Sequence, residues 1–304
     1  MSKATTTLLP PAANQAYFDV SALEAGNVVI PMDRIVAGAK HEFLPCPALA
    51  FSLRHSKTSF QMVFDLGVRR DIEGYPPALQ KRIRDLGFSP VVKQTVAESL
   101  ERGGIAPDQV DAVIVSHLHW DHIGDCAPFT KATFIVGSRS KDLLATGYPG
   151  NPDAVFSSTA VPVDRTRFIS VEDMSTSIGP FPHALDYFGD GSLYIVDAPG
   201  HISGHINALV RTSADGSWIL LAGDSAHDRR IVTGEKEVAH SIDAVTGHVV
   251  CMHANKEQAQ ENIRRVRSLL DVPKVQVLIA HDVPWYNVNA GGTAFLPGII
   301  PPVI

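Results

Sequence analysis

Three imidazoles and one carboxylate crowd into a single short stretch, Ser116-His117-Leu118-His119-Trp120-Asp121-His122. In an extended chain, residues two apart point the same way, so His117 and His119 face one side. Asp121 and His122 turn off that line and are free to serve a second centre. Imidazole nitrogen and carboxylate oxygen are the donors that a borderline cation such as zinc takes at about 2.0–2.2 Å. Four such groups on one compact loop repel one another or stay unsatisfied unless a cation sits among them.

Such a loop needs rigid elements to hold it, and the apolar runs supply them. Val113–Val115 leads into Ser116 and His117. Tyr194–Val196 leads through Asp197-Ala198-Pro199-Gly200 into His201. Trp218–Leu221 leads through Ala222-Gly223 into Asp224, and Val275–Ala280 leads straight into His281. Four expected buried strands thus each deliver a metal-type ligand just past their C-terminal ends, the edge at which sites gather in α/β sheets. Two hairpins are expected, Ala48–Arg54 with Phe60–Leu66, and Ile206–Thr212 with Trp218–Ala222, each around a polar turn. Helices are expected over Pro77–Leu86, Val91–Arg102 and Lys256–Leu270, the last capped by Asn255. Strands and helices mixed along one chain predict an α/β fold.

No linker, repeat or low-complexity tract divides the chain, so residues 1–304 are expected to form one domain. A Pro/Ala-rich N-terminal arm (about 1–40) and a cap-like insertion (about 130–192) are its expected irregularities. The insertion carries Phe134, Tyr148, Phe156, Phe168, Phe181, Tyr187 and Phe188, which either line a pocket or pack a core. The apolar tail, Phe295 to Ile304, either covers the body or packs in a homodimer.

Composition narrows the function classes. A net charge of -6 and a pI near 6.1 give no support to nucleic-acid or membrane-surface binding, both of which need clustered Lys and Arg. A small-molecule partner is the simpler expectation. Cys46, Cys126 and Cys251 are odd in number and form no CxxC pair, so no disulfide framework is expected. With no signal-like start and no run able to span a bilayer, a cytoplasmic protein is expected.

The motif and the distant ligands together resemble the metallo-β-lactamase superfamily, whose signature is HxHxDH followed by a distant His, a distant Asp and a last His. The resemblance covers the chain from about Phe51 to His281. It implies an αββα four-layer sandwich and two divalent metal ions, zinc first, with manganese or iron fitting the same donors. One ion would take His117, His119 and His201, and the other Asp121, His122 and His281, with Asp224 bridging. Asp65, in Val63-Phe64-Asp65-Leu66-Gly67, matches the early structural aspartate of the family. Ser116 and Cys126 are structural on this view, and His205 holds a ligand in place.

Within the family the flanking text looks most like the N-acyl-homoserine-lactonase branch, notably Gly104-Ile105-Ala106-Pro107-Asp108-Gln109-Val110-Asp111. The penicillin-cleaving zinc enzymes carry cysteine at the bridging position, where Asp224 stands. The Gly/Pro-rich stretch after His281 differs from the helical piece of glyoxalase-II-like thioesterases. Homoserine lactonases often place tyrosine three residues after the bridging aspartate, and here that position is His227. The substrate implied is a small cyclic ester, or a cyclic amide or carbamate such as a benzoxazolinone. A metal-bridging hydroxide would attack the ring carbonyl, with Asp121 as the catalytic proton shuttle and His227 in support. Rival functions are a phosphotriester or thioester hydrolase on the same metals, and a non-enzymatic binding protein on the fold.

Overall fold

Along almost every central strand, alternate side chains pack into two different cores. The computed structural model describes residues 7–304; Met1–Thr6, the start of the expected arm, lie outside the described residues. Met62, Phe64, Ala112, Ile114, Ile135, Leu193, Ile195, Ala208, Val210, Ile219 and Leu221 meet in one core. Their chain neighbours Val63, Val113, Phe134, Val136, Tyr194, Val196, Leu209 and Leu220 meet in the other, together with Leu79, Ile83, Leu100, Ile263 and Val266 from helices. Side chains of a strand alternate between faces, so strands with no polar face must be covered on both sides. The solution is two sheets packed face to face, with helices on the outer faces.

The first sheet runs in the order Phe18–Leu23, Ala50–His55, Gln61–Phe64, Ala112–Ile114, Thr133–Gly137, Thr166–Ile169. Its last four strands are parallel. The second runs Thr176–Ile178, Phe181–Asp186, Leu193–Asp197, Ile206–Arg211, Trp218–Leu221, Val275–Leu278. It is antiparallel apart from the last pair. Parallel neighbours require crossovers. The helices Pro77–Leu86 and Val96–Arg102 serve the first sheet, and Lys256–Ser268 serves the second. The expected start of the middle helix, Val91, is too early: Val91 ends a short strand, and Thr95 caps the helix through a capping box with Glu98.

Both irregular parts contribute strands to the sheets. Within the N-terminal arm, Phe18–Leu23 pairs with Ala50–His55 and Asn27–Pro31 pairs with Phe43–Pro47. The cap-like insertion contributes Thr133–Gly137 and Thr166–Ile169 to the first sheet and Thr176–Ile178 and Phe181–Asp186 to the second. Its aromatics divide between the two roles: Phe134 and Phe181 are fully buried, whereas Phe156 lines a cavity.

The apolar tail lies along its own chain. Leu296 N–H donates to Ala22 O at 3.0 Å and Ile300 N–H to Val20 O at 2.7 Å, which covers the outer edge of the first sheet. The three cysteines are free, and no helix among the described residues is long and apolar enough to cross a membrane.

Candidate metal centre

Leu193–Asp197, Trp218–Leu221 and Val275–Leu278 run in one direction across the second sheet, and Gln61–Phe64 and Ala112–Ile114 do so in the first. The loops that leave their C-terminal ends converge. Asp65, Ser116–His122, His201, Asp224 and His281 all arrive there. Glycines make the approach possible. Gly200 has φ 123°, and a Cβ on it would lie 2.1 Å from the backbone nitrogen of Ala259. No other residue lets the His201 loop lie so close to the N-terminal turn of Lys256–Ser268.

All seven residues expected to bind metal come together; six are buried and His119 is half-buried. Donor atoms of His117, His119, His201 and Asp224 lie within 4.8 Å of one another, as do those of Asp121, His122 and His281. His119 Nδ1 is 2.9 Å from His117 Nε2 and 2.8 Å from His201 Nε2, and these two Nε2 atoms are 3.2 Å apart. Three ligands on a tetrahedral cation with bonds of about 2.0–2.1 Å stand roughly 3.3 Å apart, so the triangle has the right size. Asp224 lies between the groups. Its Oδ1 is 3.2 Å from His122 Nε2 and 3.5 Å from His281 Nε2. Its Oδ2 is 3.4 Å from His201 Nε2 and 3.8 Å from His117 Nε2. Asp121 Oδ2 is 3.5 Å from His281 Nε2.

The surrounding hydrogen bonds set the imidazole tautomers. Asp65 accepts from Ser116 N–H at 2.6 Å, from Ser116 Oγ at 2.7 Å and from His122 Nδ1 at 2.8 Å. Since Ser116 Oγ–H donates to Asp65, its lone pair accepts from His117 Nδ1 at 3.0 Å. His281 Nδ1–H donates to Pro47 O at 2.7 Å. His117 and His281 therefore turn a proton-free Nε2 inward, the arrangement that metal-ligating histidines need, and His122 joins them once its Nε2 proton is displaced. His205 does not join them. Its Nδ1–H donates to Ala198 O at 3.1 Å, and its Nε2 accepts from the Asp224 amide at 3.1 Å, which fixes the Asp224 backbone.

Charge follows from burial and neighbours. Burial pushes His119 down to about 3 and His205 down to about 4. It also holds His117 and His201 well below the usual imidazole range, helped by the adjoining rings. These rings are neutral and ready to donate lone pairs. Burial raises the Asp121 carboxyl. At Asp224 burial is outweighed by His122, His227 and His281, which hold its carboxyl well below the usual range. At His122 burial is outweighed by Asp224 and then Asp65, which lift it well above. A cation between His122 and Asp224 would take that proton's place. Two atoms call for one: His122 Nε2 and Asp224 Oδ1 are buried with no hydrogen-bond partner. The donor set fits a divalent cation.

His119, Asp121, His201, Asp224 and His281 form one end of a cavity of about 440 Å³, a ligand-sized space. Its walls are mainly apolar, including Ile30, Leu79, Ile83, Leu143, Val155 and Phe156. Phe156 stacks on His119 with centroids 6.0 Å apart and an angle of 15°. His227 lines the cavity, with Nε2 3.2 Å from Asp224 Oδ2. Trp285 and Tyr286 follow His281 in sequence yet face elsewhere. Trp285 packs near Phe295, and Tyr286 Oη donates to Glu24. Sequence reasoning missed His253, which reaches the site because Ala254 N–H and Asn255 N–H donate to His201 O and Gly200 O. A lone histidine after Val-Val-Cys-Met carries no periodic or spacing signal.

The comparisons agree with this geometry. Residues 80–270 match the model of the metallo-β-lactamase superfamily. "Gamma-lactamase MBL2" of Gibberella moniliformis is 42% identical over 55% of this chain and 70% of its own. "Cytochrome P450 monooxygenase mpaDE'" of Penicillium brevicompactum is 31% identical over 90% of this chain but only 35% of its own. The chain spans between 29% and 51% of the length of four curated relatives that it matches. Among solved structures, a single-substitution mutant of AiiA from B. thuringiensis with N-decanoyl-L-homoserine bound at the active site superimposes with a TM-score of 0.71 at 17% identity, over 93% of this chain and 99% of that one. With the matched family model covering most of the chain, and with the fold and the HxHxDH loop where they are, the chain belongs to the metallo-β-lactamase superfamily.

Proposed function

We propose that this chain binds two divalent cations, zinc in the first instance, and hydrolyses a small cyclic ester, cyclic amide or cyclic carbamate. The observation that carries the proposal is the buried convergence of two donor groups on the two oxygens of Asp224, with His122 Nε2 and Asp224 Oδ1 otherwise unpartnered. His117, His119 and His201 would hold one cation, Asp121, His122 and His281 the other, and Asp224 both. The cations would supply Lewis acidity toward the ring carbonyl and a water acidic enough to act as nucleophile near neutral pH.

The chain's own groups do the rest. Asp121 is buried with a raised pKa beside His281, so it can orient the attacking water, take up its proton and return it to the leaving atom. His227 lines the cavity next to Asp224 and donates to the substrate or its leaving group. The apolar walls exclude bulk water and take the hydrocarbon part of the substrate. The substrate class draws support from the relatives. One is named a gamma-lactamase, and a similar structure holds an N-acyl-homoserine.

The test is a panel of homoserine lactones, aromatic lactones, γ-lactams, benzoxazolinones, a thioester and a phosphotriester, read by mass spectrometry as the gain of one water. Ring opening of a lactone, lactam or benzoxazolinone that is lost in Asp121→Asn is expected. Turnover confined to the thioester or phosphotriester would move the substrate class. No turnover by a metal-loaded chain would remove the hydrolase reading.

A further inference from the structure

His253 lies outside the seven residues and is not used in the hydrolysis above. It is 4% exposed and lines the same cavity. Its ring lies 5.2 Å from that of His201, at 81°, and 5.0 Å from that of His227. Its Nδ1 stands 3.3 Å from Nδ1 of His201, and its Nε2 has no hydrogen-bond partner.

Two ring nitrogens this close share one proton between them. His201 turns its Nε2 toward His117 and His119, so on the cation-binding reading that nitrogen carries no hydrogen. The single proton of a neutral His201 then sits on Nδ1 and is donated to His253. His253 Nδ1 must accept it. A neutral imidazole has one N–H, so that of His253 is on Nε2, buried at the cavity and unpaired. A buried donor without an acceptor is costly, and since Nε2 faces the cavity, a ligand that displaces the water there must supply one.

We infer that His253 contacts substrate, its Nε2–H acting as a fixed donor to an oxygen of the bound cyclic ester or amide. This inference rests on the hydrolase reading above. It also gives His201 a second task, since the cation that fixes its proton on Nδ1 thereby fixes the donor on His253. A competing use exists, because His201, His227 and His253 have donor atoms within 4.8 Å of one another. A cation held there would need His201 to bind through both nitrogens, which requires loss of both ring protons. The donor arrangement needs no such step.

The experiment uses the zinc-loaded full chain with His253→Asn and His253→Gln. The asparagine oxygen falls near Nδ1 and keeps an acceptor for His201 while removing the outer donor. Glutamine reaches the Nε2 position and keeps that donor. Zinc per chain, the dissociation constant of the ring-opened product acid and kcat/KM are measured for each. Zinc content is expected to be unchanged in both variants. H253N should bind product and turn over substrate about tenfold less well, and H253Q should stay within about threefold of wild type. In the zinc-loaded wild type, imidazole 15N shifts should report the Nε2–H form of His253. The inference is overturned if H253N matches wild type, if its losses track lost zinc, if His253 is the Nδ1–H form, or if a third zinc binds wild type alone. A wild type that takes no zinc, or takes it and opens no ring, would instead remove the hydrolase reading and this inference with it.

Discussion

Replacing Asp65 with asparagine should weaken metal binding without touching any of the seven proposed ligands. Asp65 is 1% exposed and accepts three hydrogen bonds, from Ser116 N–H, Ser116 Oγ–H and His122 Nδ1–H. Its φ of 60° makes asparagine the fair test, because asparagine tolerates that left-handed backbone and alanine does not. One amide oxygen can still accept from Ser116 N–H. The new NH2 group then faces His122 Nδ1–H, donor against donor. His122 escapes by moving its proton to Nε2, which faces Asp224 Oδ1 at 3.2 Å. A ligand nitrogen is thereby blocked. Loss of a charge-assisted bond costs about 1.5–3 kcal/mol, and loss of an outer partner of a ligating histidine typically weakens metal binding roughly 10- to 100-fold. Competition with a chelator reads the affinity, and urea unfolding of the metal-free chain reads the stability. A D65N chain with wild-type zinc affinity would refute the tautomer argument, whatever its stability.

Other expected outcomes follow from the same geometry. Phe156→Ala removes an apolar wall and the ring stacked on His119, so kcat/KM for substrates with long apolar groups should fall about tenfold with metal content unchanged; equal loss for short and long substrates would contradict that role. Gly200→Ala should abolish soluble, metal-binding protein, because its Cβ would stand 2.1 Å from the Ala259 nitrogen; wild-type expression and zinc content would show the loop to be more compliant. Burial pushes Cys46 and Cys126 up to about 12, so native protein at mildly alkaline pH should not react rapidly at either thiol, as peptide mapping after maleimide labelling would report. Burial lowers His205 from 6.5 to about 4, so the unfolded chain takes up its proton first. Its contribution is present above the unfolded value and is lost as pH falls through 6.5 toward 4, by roughly 3 kcal/mol. Urea titrations of the metal-free chain should show a shallower pH slope in His205→Asn; identical slopes would exclude His205 as a source.

Most of the fold was legible in the sequence because the strands obey a simple rule. Runs such as Val113–Val115 and Trp218–Leu221 are apolar at every position, which requires cover on both faces, and each ends in a polar side chain that must go somewhere satisfied. The helix Pro77–Leu86 falls where it was expected and begins at a proline, and Lys256–Ser268 was legible from its Asn255 cap. Phe18–Leu23 was not legible as a strand, because its pairing with Ala50–His55 depends on a contact across the chain that no local pattern records. The seven expected ligands converge because each stands in a motif or at a strand end. His253 was invisible for the opposite reason: two backbone hydrogen bonds from the next residues bring it in. Trp285 and Tyr286 show that adjacency to His281 in sequence does not place a side chain in the cavity.

The most direct test of the central claim is the number of metal ions held by the folded chain. Native mass spectrometry and elemental analysis on one zinc-loaded sample should give two per chain for wild type and fewer for Asp224→Ala, with ring opening lost alongside. Less than one ion per chain that added zinc cannot restore, or full turnover by a chain stripped of metal, would contradict it.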